Sequence, residues 1–178
     1  MKCERICYCF LLIVSLSGCG YFDCEFDSAD LIRDLNEDGI DDLSYEFTLD
    51  GYYEFVDANF DGVVDQTHKY DDKGVLISSK YDDDFDGVLE TKVVYQFTVP
   101  YRTYVDTNKN GLIDLVFFYE SGVLNHSEKL QNKGAGNQGN YIERINFKFG
   151  LPDGVSLKSL TLLSEKDFSD QFGVEGQD

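Results

Sequence analysis

Several stretches of the chain alternate apolar and polar side chains with the two-residue period of a strand. In LSYEFT, 43–48, Leu43, Tyr45 and Phe47 alternate with Ser44, Glu46 and Thr48. In TKVVYQFTV, 91–99, Thr91, Val93, Tyr95, Phe97 and Val99 alternate with Lys92, Val94, Gln96 and Thr98. DLVFFYES, 114–121, is β-rich and apolar on both faces at its centre, and YIERINFKFG, 141–150, alternates again. LPDG, 151–154, reads as a turn into a further strand, VSLKSLTLL. The end, SEKDFSDQFGVEGQD, has the Ser164 and Asp167 spacing of a capped helix start, but 164–178 reads as a frayed tail.

Between these segments one nonapeptide recurs at a near-constant interval, as DLNEDGIDD (34–42), DANFDGVVD (57–65), DDDFDGVLE (82–90) and DTNKNGLID (106–114). A second signal lies between them: Gly51, Gly74 and Gly122 follow the loop starts at 34, 57 and 106 by almost the same offset. Glycine adopts the positive φ of a tight turn without steric cost, so these positions read as turns. The third repeat departs and offers Val99-Pro100 instead. Each unit is an acidic loop, a strand, a glycine turn and a second strand. The expectation is an all-β antiparallel meander of about 8–11 strands, built from four repeats of about 24 residues. All four acidic loops should share one sheet edge. A four-stranded propeller blade would consume two repeats, so four repeats cannot close a ring. An open curled sheet, a sandwich or a barrel remains. The repeats occupy 31–122, and 123–163 reads as a continuation of the same β domain. A fifth loop is due near residue 130, where QNKGAGNQGN has no carboxylate and reads as a polar connection.

The loops carry candidate chemistry. Calcium takes six to eight oxygens, and the EF-hand loop supplies them from positions 1, 3, 5, 7 (a carbonyl) and 9, with glycine at 6 for the sharp turn. The candidate ligands are Asp34, Asn36, Asp38, Ile40 and Asp42; Asp57, Asn59, Asp61, Val63 and Asp65; Asp82, Asp84, Asp86, Val88 and Glu90; and Asp106, Asn108, Asn110, Leu112 and Asp114. Gly39, Gly62, Gly87 and Gly111 hold position 6. The bidentate Glu of an EF-hand is missing at position 12, where Tyr45, His68, Val93 and Phe117 stand, and the flanks are strands. The loops therefore resemble the calcium hairpins of FG-GAP/VCBS-type β-repeat proteins, including the integrin propeller. That resemblance implies Asp or Asn at positions 1, 3, 5 and 9 as ligands within a β-hairpin turn. It covers roughly 31–122 and extends to loop chemistry, since the family's propeller period is longer. Up to four Ca2+ ions are expected. The third loop has four carboxylates, the first two have three each, and the fourth has two and should bind weakest.

Charge and aromatic content narrow the class. The chain carries a formal −19, which repels nucleic acid, yet its 12 Tyr and 14 Phe are too many for a disordered acidic chain. The two histidines, His68 and His126, make no metal-ligand spacing, and no nucleophile elbow, P-loop or zinc motif is present, so an enzyme is not expected.

The start, MKCERICYCFLLIVSLSGCG, has a basic n-region and an apolar run too short to span a bilayer, so 1–18 reads as a secretory signal. Leu16-Ser17-Gly18-Cys19 resembles a bacterial lipobox. That resemblance implies cleavage before Cys19, a lipid on its sulfur, a tether over 19–30, and outer-membrane sorting with Gly20 next. Removing the signal's net +1 (Lys2, Arg5 and Glu4) leaves −20. It also removes Cys3, Cys7 and Cys9; with Cys19 acylated, Cys24 is the sole thiol and no disulfide framework remains. The function expected is that of a lipid-anchored, calcium-binding envelope protein acting by contact, as an adhesion or scaffold module, with a protein or glycan partner. The alternatives are a periplasmic inhibitor or immunity protein that binds an enzyme, and a glycan-binding module.

Overall fold

The computed structural model describes residues 31–132, 140–148, 151–159 and 164–172. The signal, the tether with Cys19 and Cys24, the connection 133–139 and residues 173–178 lie outside them. The described strands are β1 (Ile32–Arg33), β2 (Leu43–Thr48), β3 (Gly51–Val56), β4 (Gln66–Asp71), β5 (Leu76–Tyr81), β6 (Thr91–Gln96), β7 (Val99–Val105), β8 (Leu115–Glu120), β9 (Val123–Asn132), β10 (Asn140–Lys148) and β11 (Leu151–Ser159). They form one 11-stranded antiparallel sheet in sequence order, with β1 and β11 as its open edges. The all-β meander is thus an open sheet, neither a sandwich nor a barrel.

The connections alternate between two edges. The four acidic nonapeptides join β1 to β2, β3 to β4, β5 to β6 and β7 to β8, all on one edge. The connection due as a fifth loop, β9 to β10, falls on 133–139. The opposite edge holds the tight turns. At Gly51 φ is +143°, and a Cβ there would sit 1.9 Å from the Tyr70 carbonyl oxygen, so only glycine fits beside β4. Its closeness to β4 explains why glycine occupies a strand end rather than the turn tip.

The third repeat turns at Phe97-Thr98, not at Val99-Pro100. Both residues have positive φ (52° and 65°), and Gln96 pairs directly with Val99. This is the two-residue hairpin geometry that favours Asn-Gly, so the alternating run 91–99 is broken before its end. Non-glycine residues in this region cost about 1–2 kcal/mol each. Replacing Phe97 by Asn and Thr98 by Gly is therefore expected to raise stability by about 1 kcal/mol after the added freedom of the unfolded chain is deducted. Urea unfolding of the double variant checks this; a fall in midpoint would refute it.

Bulges recur beside these turns. The register steps from Lys69↔Ser78 to Tyr70↔Leu76, from Val94↔Arg102 to Tyr95↔Pro100, and from Phe118↔His126 to Tyr119↔Leu124. Ile77, Tyr101 and Asn125 are left unpaired, and they stand at equal intervals along the chain. A bulge adds local right-handed twist, so the sheet is coiled at regular intervals. LPDG is likewise no turn: Leu151 to Gly154 lie inside β11, with a register step beside Asp153.

The two faces differ. Tyr45, Tyr52, Tyr70, Tyr81, Tyr95 and Tyr119 lie on one face by register. Tyr52 stacks on Tyr70 with centroids 4.6 Å apart, and Glu54 accepts the hydroxyls of Tyr45 (2.8 Å) and Tyr70 (3.0 Å). Burial and the Glu54 hydrogen bond push the Tyr70 hydroxyl up to about 12. The other face carries helix α1 (Glu165–Asp170), where a frayed tail was expected. Ser164 caps it, accepting from Asp167 N while Asp167 accepts from Ser164 N. Tertiary packing decides what so short a helix cannot decide alone. Phe168 is fully buried, with Val116 and Ile142, and Phe172 packs on Tyr104 and Phe118.

Candidate metal edge

All four acidic loops share one backbone scheme. Position 4 is left-handed in each: Glu37, Phe60, Phe85 and Lys109 have φ of 63°, 65°, 62° and 58°. Position 6, always glycine, has φ of 92°, 85°, 88° and 86°. The position-1 carboxylate folds back on this turn and accepts the glycine N–H: Asp34 from Gly39 (2.8 Å), Asp57 from Gly62 (2.7 Å), Asp82 from Gly87 (2.6 Å) and Asp106 from Gly111 (2.6 Å). Position 5 accepts from the position-7 N–H: Asp38 from Ile40, Asp61 from Val63, Asp86 from Val88 and Asn110 from Leu112. Position 9 closes the loop from its far end. Asp42 accepts from Leu35 N (2.6 Å), Asp65 from Ala58 N (2.7 Å), Glu90 from Asp83 N (3.2 Å) and Asp114 from Thr107 N (2.8 Å).

The same positions are tied from loop to loop. Asp57 N donates to Asp42 O (2.8 Å), Asp82 N to Asp65 O (2.8 Å) and Asp106 N to Glu90 O (3.0 Å). Ile40 side-chain atoms lie 3.5 Å from where a Cβ on Gly62 would stand, and a Val63 methyl 3.7 Å from one on Gly87. The residue at position 7 of one loop thus lies at contact distance from position 6 of the next, where the positive φ, not the space, calls for glycine.

This scaffold buries charge. Asp42, Asp57, Asp65, Asp82, Asp106 and Asp114 are all buried, whereas positions 3 and 5 are mostly exposed. Burial opposes the charge of Asp82, but the backbone N–H groups of Gly87, Asp86, Phe85 and Asp84 outweigh it and hold the carboxyl below its usual range. One buried oxygen of Asp42 (Oδ1) and one of Glu90 (Oε2) have no hydrogen-bond partner among the described residues. Both sit at position 9.

In the third loop, Asp82, Asp84 and Asp86 bring carboxylate oxygens within 4.8 Å of one another, a group that could hold a metal ion. In the first two loops the Asn at position 3 faces its neighbour instead: Asn36 Nδ2 donates to Asp38 (2.9 Å) and Asn59 Nδ2 to Asp61 (3.0 Å).

Two contacts were not legible in the loop motif. Lys109, at position 4 of the fourth loop, places Nζ 2.5 Å from Asp84 Oδ1 and 2.5 Å from Asp86 Oδ2. Burial disfavours its charge, but its hydrogen bonds to Asp84 and Asp86 raise its pKa above the usual lysine value. An ammonium of the chain itself therefore lies against the most acidic loop. In the fourth loop, Asn108 Nδ2 and Asn110 Nδ2 donate to Glu165 of α1 at 2.7 and 2.8 Å. Ile113 N donates to Ser169 Oγ (3.3 Å), so this loop docks the helix. The one basic residue among the four nonapeptides was the available signal for the first contact. Nothing local in the sequence announces the second.

His68 lies on the tyrosine face, where its Nδ1 is 2.8 Å from Ser79 Oγ and its ring meets Tyr81 edge-on. Burial lowers its pKa, against the pull of Glu54.

No family model matches this chain, and no curated protein matches it. Among solved structures, it is similar to a chain of accessory secretory protein 1, 2 and 3 from Streptococcus pneumoniae, at 11% identity and a TM-score of 0.22. That match covers 67% of this chain and 20% of the other.

Proposed function

We propose that this chain is a calcium-binding protein of the cell envelope, anchored to a membrane through a lipid on Cys19, with outer-membrane sorting. It acts by contact, as an adhesion or scaffold module, and not by catalysis. The observation that carries the calcium reading is the pair of buried oxygens at position 9, Asp42 Oδ1 and Glu90 Oε2, that have no hydrogen-bond partner among the described residues. Leaving a charged, buried acceptor unpaired is costly, and a cation held by the carboxylates of the same loop would relieve it. The amide network supports the same reading, since it fixes the loops while leaving further lone pairs on oxygens at positions 1, 3 and 5 for a hard cation. Isothermal titration of the mature chain with calcium tests it, with magnesium as control. Absence of heat with both ions would defeat the proposal.

The anchor is tested separately. Metabolic labelling with a palmitate analogue is expected to mark the wild-type chain and not Cys19→Ser, which is released from membranes. An unlabelled wild-type chain removes the anchor from the proposal.

A second reading, glycan binding, is favoured by the tyrosine face. Six tyrosines on one side of the sheet offer flat rings and hydroxyls, the pairing of apolar body and polar tip that sugar rings use. Retention on a polysaccharide column by the wild type but not by Tyr81→Ala/Tyr95→Ala would favour it; equal retention would count against it.

A further inference from the structure

The face that carries α1 continues beyond the helix onto β4, β5 and β6, and there it is basic. Lys80 on β5 stands directly opposite Lys92 on β6. Lys69 on β4 stands opposite Ser78, two positions from Lys80 and therefore on the same face. Arg102 on β7 extends the row, opposite Val94, with its guanidinium 4.0 Å from the Tyr101 ring centroid and 4.5 Å from that of Phe118. Aromatic rings flank the lysines on both sides. Tyr53 lies opposite Lys69, whose Nζ is 5.3 Å from the ring centroid, and Tyr104 lies opposite Lys92.

Like charges directly opposite on neighbouring strands are destabilising. This chain has 34 Asp and Glu side chains with which to pair them, yet none of the three lysines makes an ion pair among the described residues. Burial lowers the pKa of Lys92, and the charges of Lys80 and Lys69 lower it further. Toward β2 the row meets Glu46, which lies opposite Tyr53 and two strands from Lys69. Toward β9 it meets Glu128, which is already paired with Arg144. A half-buried cluster of cations, bordered by aromatic rings, is complementary to a ligand that brings both carboxylates and apolar groups.

We propose that Lys69, Lys80 and Lys92, with Tyr53 and Tyr104, form a docking surface for an acidic, aromatic-bearing peptide segment of a partner protein. A short segment fits better than a long uniform polyanion. Anything longer than the row would run past Tyr53 onto Glu46 of β2, where it would be repelled. Side chains two positions apart in an extended segment share a face, so carboxylates and aromatic groups placed at every second position can meet the lysines and lie against Tyr53 and Tyr104 together. The surface is separate from the calcium loops and does not depend on them.

The test is fluorescence anisotropy on the full mature chain, using a short labelled peptide with Ser at every second position and Asp and Tyr taking turns at the positions between. The expected result is binding that weakens as salt is raised and falls about tenfold or more in Lys80→Gln/Lys92→Gln, since hydrogen bonds to charged groups are among the stronger ones. Lys73→Gln, in the exposed turn before β5, should leave it unchanged. Lys80→Arg/Lys92→Arg keeps the charge and should retain binding, which separates loss of the surface from loss of the fold. The Asn-for-Asp peptide should not bind. Equal binding of that neutral peptide, indifference to Lys80→Gln/Lys92→Gln, or stronger binding of inorganic polyphosphate than of the acidic peptide would overturn the proposal.

Discussion

Phe168→Ala is expected to destabilise the protein by about 3–5 kcal/mol, the range for deleting a buried aromatic ring. The argument rests on how little else is buried. Among the described residues the buried apolar side chains are Val116, Ile142 and Phe168, and they form one cluster. An open sheet has no second layer of its own, so over β7–β10 that layer is α1. Removing the Phe168 ring leaves Val116 facing a cavity and weakens the seat of Phe172 on Tyr104 and Phe118. For a domain of this size the loss corresponds to a fall in melting temperature of about 6–20 °C. Phe168→Leu, which keeps most of the volume, should cost under about 1.5 kcal/mol. Thermal unfolding followed by circular dichroism measures both. A Phe168→Ala loss below about 1 kcal/mol, far under the range for a buried ring, would mean that α1 contributes little to the fold.

Calcium removal is expected to have the other large effect, if the proposed sites fill. Extracellular modules bind calcium with dissociation constants of about 0.1–1 mM, so at about 1 mM each site adds roughly 0.4–1.4 kcal/mol. Four sites would add roughly 1.6–6 kcal/mol, a large part of a domain's roughly 5–15 kcal/mol. The contacts of the third and fourth loops shift the order of filling. Carboxylate count alone favours the third loop, but Lys109 already lies between Asp84 and Asp86. The fourth turns both Asn amides to Glu165. Among the described residues the first and second loops meet no such competitor, and they should fill first, contributing roughly 0.8–2.8 kcal/mol together. Lys109→Met should strengthen calcium binding at the third loop by about 3–10-fold, by removing the competing charge. The measurements are melting temperature in chelator, millimolar calcium and millimolar magnesium, and calcium titration of Lys109→Met. Identical melting in all three conditions would leave these loops as acidic turns.

The fold was legible because its signals are local and repeated. The regular spacing of the nonapeptides and the glycine at the sixth place of each specify hairpins, and consecutive hairpins can only make a meander. What escaped were features set by neighbours across the sheet. The turn at Phe97-Thr98 carries neither Gly nor Asn, so no residue type announces its positive φ. The bulged residues Ile77, Tyr101 and Asn125 share a spacing but no chemistry. The helix at 165–170 has a modest local propensity, and its order comes from Phe168 reaching a cluster around Val116, far from it along the chain. At the loops the motif located the carboxylates. It could not reveal that Lys109 and Glu165, the one in a loop and the other beyond the sheet, take their places beside them.

The hydrogen bond from the first residue of each acidic loop to the ninth residue of the loop before it makes the seam between units the same wherever it occurs. Asp57 meets Asp42 as Asp82 meets Asp65, so a cassette cut from the start of one loop to the start of the next carries a matching half-seam at each end. Duplicating such a cassette adds two strands and one loop while asking no existing contact to change, as in other arrays that are stable by nearest-neighbour terms. The length of this sheet is thus a quantity that unequal recombination can alter in whole steps, lengthening or shortening the reach of the molecule without redesigning it.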